Sequence, residues 1–220
     1  MNEMKKISSS SRGWESLFFL SEAVMIVFFC VGTSFVKKEV TDGNVNDQNA
    51  AATAATLAYY PMLMDITVMM FVGFGFLMVF LKTHSWTSVG FNYLIAAWAI
   101  QCGIIFQGFW HCAIISEHFE RIPVDMKALI NADFCAAAIL ISMGAVLGKT
   151  TLPQLFLLVT FETIFYTLNA VILLDLLKVA DVGGAITIHM FGAFYGLAAS
   201  YFFEPKKAIA DERCKGGYNS

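Results

Sequence analysis

The chain has 220 residues, 58% of them hydrophobic and 14% charged, with a mean hydropathy of +0.66 and a formal net charge of −3. Soluble domains carry about 25% charged residues, so this chain has too little polar surface to stay in water. With 14 basic against 17 acidic residues it has no basic stripe for nucleic acid.

A membrane helix needs about 20 mainly apolar residues. Six segments meet that requirement, at residues 14–36, 61–81, 87–110, 129–148, 153–177 and 182–203. They are too long and too uniformly apolar for barrel strands, which alternate over about ten residues. The expected fold is therefore all-α and polytopic. Residues 1–13 precede the first span. Residues 37–60 form the one long connection, rich in Asn, Ala, Thr and Asp, and are expected to be an irregular, flexible loop. Residues 61–203 carry the remaining five helices, and 204–220 form a polar tail.

Lysine and arginine set the orientation. With the N-terminus in the cytoplasm, the inner side holds Lys5, Lys6, Arg12, Lys82, Lys149, Lys206, Lys207, Arg213 and Lys215. The outer side holds Lys37, Lys38, Arg121, Lys127 and Lys178. Nine against five favours both termini inside. The sixth helix then runs inward, with Asp181 at its outer mouth and His189 eight residues on, about 12 Å deeper at ~1.5 Å per residue.

A charge near the bilayer centre costs at least ~2.5–3.5 kcal/mol, so such groups face protein or a wet cavity. Glu22, Asp65, Asp133, Glu162 and His189 fall within spans, with Asn131 and Asn169 as neutral companions and Asp175 and Asp181 near span ends. Together they imply a bundle with a polar interior. For His189 the residues alone leave two readings open: a core histidine bonded to a carbonyl, or a group lining a pore. Asp181 can cap free N–H groups at the start of its helix. Gly192 and Gly196 form a G-x-x-x-G face that lets another helix approach closely.

Other features read as structural. The five cysteines, Cys30, Cys102, Cys112, Cys135 and Cys214, form no C-x-x-C pair and are expected as small, mostly buried thiols. His84, His111 and His118 are expected at interfaces or in loops. "GAVLGKT" at 144–150 is too short for a phosphate-binding loop. No cofactor site, zinc site or nucleophile–base pair emerges, and the chain is not expected to be an enzyme. No N-x-[ST] sequon and no cleavable signal peptide are found in it.

Four stretches occur in a familiar order: "YYPMLMDITVMMFVGFGFLMVFLK", "SVGFNYLIAAWAIQCGIIFQGFWH", "LINADFCAAAILISMGAVLGK" and "DVGGAITIHMFGAFYGLAASYFF". They resemble the Rh glycoproteins, the animal branch of the ammonium transporter superfamily. The resemblance covers nearly everything from Tyr59 to Phe203. It implies that the histidine of "TIH", His189, is a pore histidine. It implies that Asp181 is the aspartate needed for a competent pore. It also implies that Phe134 in "NADFC" is the outer phenylalanine gate, with Asp133 directly before it as a further candidate. Asp181 is read as an anchor and electrostatic aid rather than a direct ligand. Phe109–Trp110 and the Phe–Tyr of "GAFYGL" reverse the family's usual aromatic order while keeping its bulk.

The resemblance further implies a plasma-membrane homotrimer with one pore per subunit, passing ammonium as neutral NH3 and, in some members, CO2. Family members have a second half, inverted in the membrane, and this chain is expected to correspond to the first. The partner pore histidine and inner phenylalanine gate belong to the second half. Two functions follow: an ammonia channel, or a non-conducting scaffold or regulatory partner of full-length Rh subunits. An unrelated proton relay through Asp181, Glu162 and His189 is set aside by the resemblance.

Overall fold

A computed structural model describes residues 2–35, 45–80, 85–116 and 121–203. Among them, six helices are long and apolar enough to cross a membrane: Gly13–Gly32, Thr56–Leu77, Trp86–Ile114, Met126–Val146, Leu152–Leu176 and Val182–Phe202. The chain is an all-α polytopic membrane protein. The tail 204–220, with Cys214, lies outside the described residues, as do His84 and His118.

In chain order the elements are α1 (Asn2–Gly32), β1 (Thr33–Phe35), α2 (Val45–Val68), α3 (Phe74–Leu77), α4 (Ser85–Ile114), β2 (Ile122–Val124), α5 (Met126–Val146), α6 (Leu152–Ala170) and α7 (Phe191–Phe202). Two sequence expectations shift. The first helix ends at Gly32, and the next three residues pair in parallel with β2, Thr33 opposite Ile122 and Phe35 opposite Val124. Gly108 of α4 makes room for this ribbon, since a Cβ there would lie 2.3 Å from an Ile122 side-chain atom. The connection 37–60, expected as a loop, is helical from Val45 onward, and Pro61 falls inside α2 instead of opening it. The alanine run at 50–55 explains this, because alanine has the highest helix propensity. Residues 36–44 lie outside the described residues.

Three spans leave the α-helical pitch. α2 passes through a π-helical turn, Met69–Gly73, into α3 and a 3-10 turn, Met78–Phe80. The wider turn frees backbone groups, which in lipid must be satisfied within the protein. Buried Asn92 of α4 answers this by donating Nδ2 to the Met70 carbonyl at 3.1 Å. α6 continues as a π segment, Val171–Leu176, and α7 is preceded by one, Ala185–Met190.

The helix starts carry local signals. Asp125 caps α5 by accepting the Ala128 N–H at 2.7 Å. Gln154 accepts the Thr151 N–H at 2.9 Å at the head of α6, where Pro153 occupies the first turn. α5 sits at the centre. Its small side chains Ala132, Ala136 and Ala138 are fully buried, which lets neighbouring backbones come close. α7 uses this most: a Cβ on Gly192 would lie 2.5 Å from the Ala138 carbonyl oxygen, and one on Gly196 would lie 2.8 Å from the Ser142 Cα. A tilted aromatic pair of Trp98 and Phe156, with ring centroids 4.4 Å apart, ties α4 to α6, and Phe18 of α1 packs edge-on against Phe156.

Candidate functional site

The site grows from the break before α7. Gly183 and Gly184 adopt left-handed backbone angles, φ +68° and +67°, a region glycine enters at little cost. Gly184 is further constrained, because a Cβ would sit 2.3 Å from the Ile188 side chain. This turn folds Asp181 back over the first helical N–H groups. Its Oδ1 accepts the Ile186 N–H at 2.9 Å, and its Oδ2 accepts the Thr187 N–H at 2.8 Å and the Thr187 hydroxyl at 2.6 Å. The hydroxyl bond first, and the backbone donors after it, hold the Asp181 carboxyl below the usual carboxylate range.

A cavity of about 350 Å³ opens beside this turn. Phe134 of α5, Tyr166 of α6, Gln107 of α4 and Met62 of α2 line it together with Asp181, Gly183, Gly184 and Thr187. Asn131 stands at the boundary with a second cavity of about 330 Å³, which holds His111, Asp125, Lys127 and Asp175.

Phe134 and Asp181 therefore share one cavity. His189 lies on the exposed side of its helix, outside the lining. Its Nδ1 is 3.1 Å from the Gly184 carbonyl oxygen, and Gly184 does line the cavity. A carbonyl only accepts, so Nδ1 carries a proton and, in the neutral ring, Nε2 is left as an acceptor. Asp133 is not in the cavity. It is buried, and its Oδ2 accepts from the Thr67 hydroxyl at 2.7 Å, joining α5 to α2. Tyr166 and Gln107 carried no sequence signal, because nothing in their surroundings shows which face of a uniformly apolar helix meets the cavity. Cys102 and Cys135 are buried, Cys112 is half-buried and Cys30 is exposed. Among the described residues no group of three or more His, Cys, Asp or Glu side chains could hold a metal.

Six apolar helices, a glycine-broken helix capped by an aspartate, and a phenylalanine-walled cavity at that break define a polytopic α-helical membrane protein with a cavity among its helices. The chain belongs to the ammonium transporter family. The family model described as Ammonium Transporter Family matches residues 17–218, and its members are transporters and channels rather than enzymes. Ammonium transporter Rh type B of Mus musculus is 51% identical over 162 residues, covering 73% of this chain and 35% of that protein. Its Danio rerio counterpart is 42% identical over 179 residues, covering 80% and 38%. The solved structure of Nitrosomonas europaea Rh50, of the Rhesus protein family of channels, superposes with a TM-score of 0.57 at 34% identity, covering 68% of this chain and 39% of that one. The chain spans about a third of the length of the curated relatives it matches.

Proposed function

We propose that the chain forms the wall of an ammonium channel that passes neutral NH3 and turns back the hydrated ion, with Asp181, Phe134 and His189 as successive stations. One observation carries this reading: Gly184 lines the Phe134 cavity and also accepts the His189 ring proton. The histidine is thereby tethered to the cavity's floor.

The chemistry supports the order of events. Ammonium is held by water, and stripping an ion of its hydration costs many kcal/mol, whereas a neutral amine pays far less. Ammonium that gives its proton to bulk water at the cavity mouth leaves NH3, which can pass the aromatic wall of Phe134 and Tyr166. Beyond it, the Nε2 acceptor of a neutral His189 suits a molecule with N–H groups to donate. Asp181 spends both oxygens on three donors within its own helix. Its role is to hold the turn and bias the field at the mouth, not to ligate ammonium. The lysine and arginine distribution supports cytoplasmic termini and an outward-facing cavity, and a plasma-membrane location follows the family resemblance. A homotrimer follows the family resemblance, and CO2 is the other gas to assay.

A second reading, as a non-conducting partner of full-length Rh subunits, draws on one observation. The side of α7 away from α5 is bare, with Phe194, Leu197 and Tyr201 at 69%, 65% and 78% exposure. Ammonia flux into proteoliposomes carrying the chain separates the two. Flux above protein-free lipid supports conduction. Lipid-level flux combined with co-purification of a co-expressed full-length subunit supports the partner reading.

A further inference from the structure

We infer that Glu162 is a neutral carboxylic acid whose proton completes a relay from Glu162 through Ser142 to the Gly192 carbonyl, and that this relay positions the helical turn bearing His189. The second clause rests on the function proposed above, while the first does not.

The inference comes from counting hydrogens. Ser142 Oγ lies in hydrogen-bond contact with three acceptor oxygens: Glu162 Oε1, the Gly192 carbonyl at 2.9 Å and the Ala138 carbonyl at 3.3 Å. A serine hydroxyl has one hydrogen to give. If Glu162 were ionised, that hydrogen would be claimed by the carboxylate, and the Gly192 oxygen would face a bare serine lone pair. If Glu162 carries the proton, it donates to Ser142 and Ser142 donates to Gly192, with every contact in the chain made.

Burial favours the same assignment. Glu162 is fully buried, and its Oε2 has no partner. Among the described residues no lysine, arginine or histidine bonds either oxygen. The other ionisable groups within electrostatic reach, Cys135 of α5 and Tyr195 of α7, supply no positive charge. An uncompensated buried carboxylate costs several kcal/mol, whereas an orphaned carbonyl oxygen costs far less.

The geometry gives the relay its task. It joins α6, α5 and α7 at one level, and Gly192 is where α7 presses on Ala138. His189 lies three positions before Gly192, in the π segment Ala185–Met190. Asp181 holds the start of that segment through the Ile186 and Thr187 N–H groups. The relay pins the other end and so fixes the level of the imidazole.

Infrared difference spectra of the full chain in lipid, recorded across neutral pH, test the first clause. A protonated-carboxyl carbonyl stretch that vanishes in Glu162→Gln supports it. Absence of such a band, or its conversion to a carboxylate signal within that range, overturns it. Flux tests the second clause. A glutamine amide can donate to Ser142 as the acid does, so Glu162→Gln should keep flux within about twofold of wild type, whereas Glu162→Ala and Ser142→Ala should lose roughly tenfold, equivalent to ~1.4 kcal/mol. Equal loss in the glutamine and alanine variants, or no loss in either alanine variant, overturns positioning. If flux never exceeds lipid, the channel reading fails while the infrared result still stands or falls on its own.

Discussion

α5 and α7 each carry one of the stretches that resemble the family, yet the structure treats them differently. Two-thirds of the α5 span is buried inside the protein, against 28% of the span that contains α7. α5 is buried over most of its surface, and its polar groups Asp133 and Ser142 are bonded internally to other helices. α7 is fused to α5 along one glycine stripe and open along the other side, and His189, in the π segment just before it, is exposed as well. A mostly buried helix fixes a scaffold, whereas a helix held on one side offers a surface. The candidate site is therefore built by a rigid helix presenting a half-open one.

The contrast breaks most severely if the stripe is filled. Gly192→Val would drive side-chain atoms into the Ala138 backbone, which cannot yield as a flexible side chain can. A loss of roughly 1–3 kcal/mol, or failure to fold, is expected. Phe194→Ala on the open side should leave the transition nearly unmoved, and thermal unfolding followed by circular dichroism compares the two. If both cost the same, α7 is not held on one side only.

Next in size is the gate. Phe134 is half-buried at the cavity wall. Phe134→Ala should raise the methylammonium-to-ammonia flux ratio roughly tenfold, the scale on which one extra methyl is discriminated by an apolar wall. An unchanged ratio would remove Phe134 from the passage.

The Asp181 cap is smaller. Asp181→Ala should cost ~1 kcal/mol, as loss of a helix cap does, and should deprotect the Ile186 and Thr187 amides in hydrogen exchange. The carboxyl is held below its ordinary value, first by the Thr187 hydroxyl. Its stabilisation is thus fully present above the unfolded-state value of ~3.9 and is lost only as pH falls through the lowered folded value. Wild-type protection of these two amides should persist through mild acid and fade in strong acid. Loss near neutral pH would contradict the cap. The smallest effect belongs to Lys149, whose Nζ donates to Ser200 Oγ at 2.6 Å at the far end of α7. Lys149→Met should shift stability by less than about 0.5 kcal/mol.

The number and type of the helices were legible because a lipid-spanning run has a length set by the bilayer. The cap of Asp181 was legible as well, since an acid before two glycines and an apolar run is a local signal. The start of α2 was not. Pro61 read as a helix opener, and the alanine-rich stretch before it looked too polar to be a span, although its helix propensity carries the helix back to Val45. The π segments were invisible because hydropathy has no register finer than a turn. For the same reason Tyr166 and Gln107 were missed, and Asp133, named beside Phe134 as a further candidate, lies outside the cavity lining. Adjacent residues on a helix point about 100° apart, so Phe134 meets the cavity while Asp133 turns to Thr67. Glu162 was noticed as a polar intruder, but Ser142 lies 20 positions from it and Gly192 lies 50 from Ser142, beyond any sequence pattern.

The most direct measurement is stopped-flow ammonia flux in proteoliposomes carrying the wild-type chain or His189→Ala, each verified for folding. His189 is exposed in the π segment before α7, so the substitution should spare the fold. Wild-type flux above that of protein-free lipid, falling roughly tenfold in the variant, is the expected result. Wild-type flux equal to lipid, or a variant that conducts and selects as well as the wild type, would contradict a passage lined by this imidazole.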